Sequence, residues 1–82
     1  MPDDEERTER ERVRNLIQTV AACYNALAGQ ETDTSRRAEL TAKLAFYDDV
    51  FRRRDTMSAD ERREVLRTYP VLLEQLRAEI GE

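Results

Sequence analysis

At 82 residues the chain is long enough for one domain only, and a domain of this size buries just about 60 to 65% of the surface its unfolded form exposes, so its stability margin is thin. A net charge of −4 argues against a nucleic-acid binder, which usually presents a basic face to phosphates. The absence of His removes the usual general base near neutral pH and the commonest metal ligand, and a single Cys leaves no disulfide framework.

From Asp3 to Arg12 acids and bases alternate. Glu6 and Arg10 stand in the favourable i,i+4 order, with Glu9 and Arg12, and Glu11 and Arg14, at i,i+3; each pair contributes a few tenths of a kcal/mol. Asp3 and Asp4 behind Pro2 read as caps at the positive end of a helix dipole, and residues 1–8 are expected to fray. Val13, Leu16, Ile17, Val20, Tyr24 and Leu27, with Cys23 at the edge, form an unbroken stripe over about four turns. The spacing predicts a helix over 5–28, with Gly29 as its left-handed cap. The polar stretch Gln30 to Ser35 then makes a turn and offers Asp33, Thr34 or Ser35 as the next cap.

The second helix is predicted over 35–54. At about 100° per residue, Leu40, Leu44, Tyr47 and Phe51 fall in one stripe, with Lys43 and Val50 along one edge. Phe46 lies well off the stripe on the Val50 side, widening the apolar surface beyond what one neighbour covers. The segment LTAKLAFYDDVF is therefore expected at the centre of the fold, flanked by two helices, with Leu44 as a core position. Arg52, Arg53 and Arg54 follow where the carbonyl end of a helix favours cations. Ser58 and Glu61 have capping-box spacing. A third helix over 59–80 then keeps Val65, Leu66, Tyr69, Leu72, Leu73, Leu76 and Ile80 in one phase through Pro70. The continuous phase predicts a kink at Pro70, since a restart there would need Tyr69 as a cap.

Short links favour antiparallel neighbours, so residues 1–82 are expected to form one all-α, antiparallel, up-down-up three-helix bundle. Charge supports that layout. Residues 1–11 hold six acids and two arginines, residues 52–63 five arginines and three acids, and the topology brings these segments together. It also sets Arg36 and Arg37 beside the tail containing Glu79 and Glu82.

The chain offers little chemistry. Cys23 has no CxxC partner and no His to activate it, and reads as a small buried hydrophobe. Lys43 beside an apolar stripe reads as a snorkelling lysine rather than a nucleophile. Asp48 and Asp49 are adjacent and point to different sides of a helix, so they do not converge on a metal or form a carboxylate pair. Glu31 and Asp33 lack the Gly and the distant Glu of a calcium loop. Tyr24, Tyr47 and Tyr69, one per helix, read as core-rim residues. No catalytic, cofactor-binding or metal-ligating residue is assigned, and no cofactor or small-molecule ligand is inferred. The chain carries neither the arginine arrangement of helical chorismate mutases, nor the Trp-containing turn of secreted WXG proteins, nor a serine motif for phosphopantetheine.

No apolar run reaches the roughly 20 residues that span a bilayer, and the charged start lacks the apolar centre of a signal peptide, so a cytoplasmic protein without membrane contact is expected. The preference for Arg over Lys, with frequent Ala, fits the codon usage of a high-GC bacterial genome. Phe46, Val50 and Val71 form the candidate contact patch, because Phe46 and Val71 each sit off the main stripe of their helix. The expected function is a small noncatalytic interaction module, an accessory or regulatory subunit that offers a helical face to a protein partner or its own copy. The alternative is a nucleic-acid-associated regulator using Arg52, Arg53, Arg54, Arg62 and Arg63 to hold phosphates.

Overall fold

The computed structural model describes residues 2–81 and the side chains of residues 4–81. It contains α1 (Pro2–Gln30), α2 (Thr34–Arg52) and α3 (Ala59–Ile80), with a short 3-10 turn at Arg54–Thr56 between α2 and α3. There is no strand among the described residues. The chain is an up-down-up three-helix bundle, as its periodicity predicts.

α1 starts earlier and ends later than expected. Pro2 suits a first helical position because its missing N–H has no acceptor there anyway. Asp3 and Asp4 consequently lie inside the first turn rather than capping it. Gly29 is not a left-handed cap, and the positive-φ glycine among the described residues is Gly81 (φ 95°), which closes α3. The end of α1 is stabilised from outside instead. The Arg37 guanidinium donates to the Glu31 carbonyl at 2.6 and 3.1 Å, supplying donors where the helix has run out of N–H groups. Glu31 in turn accepts from the amides of Thr32 and Asp33, and Asp33 caps α2 by accepting from the Ser35 amide at 3.0 Å.

α2 stops at Arg52, two residues short of the predicted end. Arg54 still serves its carbonyl end, donating to the Phe51 oxygen at 2.9 Å with its guanidinium 4.2 Å from the Phe51 ring centre. The predicted capping box is present: the Glu61 amide donates to Ser58 Oγ at 3.1 Å. Its return bond runs from Ser58 Oγ to the Glu61 carboxylate at 3.4 Å, rather than from the Ser58 amide. α3 is continuous through Pro70, which rules out a restart there.

α1, not α2, is the central helix. It packs closely against both α2 and α3. α2 and α3 approach each other mainly through long side chains, Tyr47 against Tyr69 and Arg36 against Glu79. Accordingly Val13, Ile17 and Val20 of α1 are the most completely buried side chains. α2 contributes only Leu40 and Val50 to the buried set, while Leu44 is half-buried at its edge. The result is a long, flat unit of 49 × 24 × 15 Å. Its radius of gyration of 14.0 Å exceeds the about 12 Å of a compact chain this long.

Two charge matches accompany the register that the apolar core sets. Arg62 turns toward α1, where it meets Glu9 at 3.1 Å and Glu6 at 4.0 Å with only 12% of its side chain exposed, and it also donates to the Met57 carbonyl. Arg36 meets Glu79 at 3.2 Å. Arg37 does not join that pair, being engaged with Glu31, and Glu82 lies outside the described residues.

The placement of α1 sets an order of sensitivities. Ile17→Ala should lower the unfolding free energy by about 2–5 kcal/mol, a large share of the roughly 4–12 kcal/mol expected for a chain this long. Leu44→Ala should cost clearly less, and urea midpoints of the two variants in the reverse order would overturn the α1-centred core. Among the arginines, Arg62→Gln should destabilise measurably, because it removes bonds to Glu9 and to a backbone carbonyl. Arg63→Gln, which breaks an exposed pair with Asp60, should leave the midpoint unchanged.

Candidate protein-interaction face

Tyr47 joins all three helices. Its ring stacks on Tyr24 of α1 at 5.4 Å between centroids and 10° between planes, and meets Tyr69 of α3 edge-on at 5.6 Å and 84°. Phe46, the next residue, stands edge-on to Tyr47 at 5.1 Å and 88°. Offset stacks and edge-to-face contacts are the geometries in which the negative ring face meets a positive edge. One tyrosine per helix was legible in the sequence, but their convergence was not. It follows from the antiparallel alignment of α2 and α3 on α1, which the Arg36–Glu79 pair marks and which sets residue 47 level with residue 69.

Burial pushes the Tyr69 hydroxyl up to about 12, reinforced by the neighbouring Tyr47 and opposed by Arg53. Burial also raises Tyr47 and Tyr24 above the ordinary tyrosine value. In Tyr24 the neighbouring Tyr47 and Glu79 add to the rise and Arg36 counters it.

The face of the unit turned away from α1 carries the candidate patch. On α2, Leu40, Leu44 and Phe51 point to α1, while Arg36 points to α3; Phe46 lies beyond the α3-facing edge, away from α1. On α3, Leu73 points to α1 and Glu79 to α2, and Val71 lies beyond the α2-facing edge, again away from α1. Phe46 is 56% and Val71 54% exposed, and they are the exposed large apolar side chains among the described residues. Phe46 also lines a shallow, open depression with Glu39, Ala42, Lys43 and Tyr47. Val50 does not belong to this patch. It is buried against Val13, Ile17 and Val65, because the gap between α2 and α3 lets it reach the α1 stripe.

Part of the basic segment converges: Arg54 and Arg62 line one open depression together with Arg7, Arg10 and Arg14 of α1 and with Glu6, Glu11 and Asp55, whereas Arg52, Arg53 and Arg63 do not line it. Arg53 bonds Asp49 at 2.8 Å, Arg63 bonds Asp60 at 3.1 Å, Arg54 serves the end of α2, Arg62 faces α1, and Arg52 is exposed. The other candidates take structural places. Cys23 is half-buried against the core, Lys43 and Asp48 are exposed, and Asp49 pairs with Arg53. Glu31 and Asp33 are occupied by backbone amides. Among the described residues no group of three or more His, Cys, Asp or Glu is placed to hold a metal ion, and no helix is long and apolar enough to cross a membrane. No family model, curated protein or solved structure matches the chain.

The tyrosine cluster gives the fold a defined alkaline limit. An unfolded tyrosine ionises near pH 10, whereas Tyr69 in the fold holds its proton to about 12. Its contribution to stability is therefore complete below pH 10 and is lost as pH rises from there toward 12. Unfolding midpoints should be flat from pH 8 to 10 and fall above, less steeply in Tyr69→Phe. An unchanged slope in that variant would remove Tyr69 as the cause.

Proposed function

We propose that the chain is a small noncatalytic interaction module, an accessory or regulatory subunit that offers the α2–α3 face to a protein. The observation that carries this reading is the placement of Phe46 and Val71, both more than half exposed and both on the face turned away from α1. A large apolar side chain left in water on an otherwise highly charged surface gains free energy when a partner covers it. Aromatic residues with a rigid backing are the type that anchors such contacts, and Tyr47 backs Phe46. The partner is another protein or a second copy. A cytoplasmic setting fits the reading, and the depleted catalytic inventory is consistent with it. The three acids that share the depression with Arg54 and Arg62, and the pairing of Arg62 with Glu6 and Glu9, weigh against a phosphate-gripping surface.

Phe46→Ser decides between patch and core. An exposed Phe46 predicts a thermal midpoint within a few degrees of the parent and a weakened association, whereas a loss of several kcal/mol with association intact would retire the interface. The same chain should not retard DNA or RNA in a gel at physiological salt. Salt-sensitive retardation abolished by changing Arg52, Arg53, Arg54, Arg62 and Arg63 to Gln would replace the proposal by the nucleic-acid reading.

A further inference from the structure

We infer that the occupant of the α2–α3 face is a second copy of this chain, docked about a two-fold axis parallel to the helices; the inference rests on the interaction reading above. Three observations carry it: area, charge and height.

The chain exposes 5841 Å², where a compact monomer of this size exposes about 5,100 Å². The excess is close to the about 800 Å² that each partner contributes to a standard interface. A unit 49 Å long and 24 Å wide has a face broad enough to supply it.

The two rims of that face are oppositely charged. The α2 rim carries Arg36, Lys43 and Arg53 with Glu39 and Asp49, whereas the α3 rim carries Glu61, Glu64 and Glu79 with Arg67. Within a helix Arg36 is already paired with Glu39, Arg53 with Asp49 and Glu64 with Arg67, and Arg36 also meets Glu79 of the same chain; taken whole, the α2 rim nevertheless carries a net positive charge and the α3 rim a net negative one. A two-fold axis parallel to the helices lays α2 of one copy over α3 of the other, so unlike rims meet at both edges of the interface. An axis across the helices would instead lay α2 over α2 and oppose like charges.

Height makes the apolar centre coincide. Tyr47 is level with Tyr69 and Arg36 with Glu79. The rotation therefore sets Phe46 of one copy against Val71 of the other, with Arg53 facing Glu64 at one end and Arg36 facing Glu79 at the other, each of these charges being shared with the partner it already has in its own chain. Two thin layers would then enclose a common apolar seam, with a charged border that selects the orientation.

Sedimentation equilibrium of the full chain tests this. The parent should dimerise below about 0.5 mM. Phe46→Ser and Val71→Ser should each weaken the dimer at least about tenfold, a loss of about 1.4 kcal/mol, with thermal midpoints unchanged at concentrations dilute enough for the parent to be monomeric. Arg53→Glu and Glu64→Arg should each be monomeric alone, because each sets like charges together at both edges. An equimolar mixture of the two should recover the dimer, since every 53–64 contact across the interface is then unlike. Recovery in the mixture is specific to α2 lying over α3. A parent that remains monomeric overturns self-docking, and in that case capture of a different protein by the parent but not by Phe46→Ser would still uphold the interaction module. A dimer indifferent to Phe46 and Val71, or a mixture that does not recover, also overturns the inference.

Discussion

The apolar line along α1, from Val13 through Ile17 and Val20 to Tyr24 and Leu27, is the surface on which α2 and α3 both depend. Two helices that meet one another mainly by side-chain tips can be held in a single arrangement only by a third that touches both. The line is divided between two buried groups. Val20, Tyr24 and Leu27 pack with Leu40, Leu73 and Leu76, whereas Val13 and Ile17 pack with Val50 and Val65. Each group includes residues from all three helices, so neither α2 nor α3 can leave without opening both ends of the core.

Helix positions were legible because the apolar period is regular and the caps are local. Ser58 with Glu61, and Asp33 ahead of Ser35, do their work within a few residues of sequence. Charge balance places residues 52–63 beside residues 1–11, where Arg62 meets Glu6 and Glu9, and Arg36 and Arg37 beside the tail, where Arg36 meets Glu79 while Arg37 turns to Glu31. The identity of the central helix was not legible. α2 has the denser aromatic pattern, but residues of moderate size packed completely, as in α1, bury more securely than large rings half in water. The width of an apolar arc shows how much surface a helix offers, not how much its neighbours cover.

The candidate patch was partly legible for the same reason. Angular position alone marked Phe46 and Val71 as poorly served by the core, and both are exposed. Val50 was grouped with Phe46 because they share an edge of α2, yet a rotation of some 40° about a helix axis is enough to move a side chain from an outer rim to the gap above α1. Gly29 follows the last apolar residue of the stripe, where a glycine usually ends a helix, yet α1 continues to Gln30. Here Arg37, reaching back across the turn, supplies what the cap would have provided.

The chain contains three tyrosines and no tryptophan, and those tyrosines sit in one cluster that draws a ring from each helix. Their ultraviolet absorption and emission therefore belong to a single locus, and two of the rings lie nearly parallel and close enough for their transitions to couple. The optical signature of this protein is consequently a report on whether the three helices are docked. A state that kept its helices but let them part would look native to a far-ultraviolet measurement and unfolded to a near-ultraviolet one.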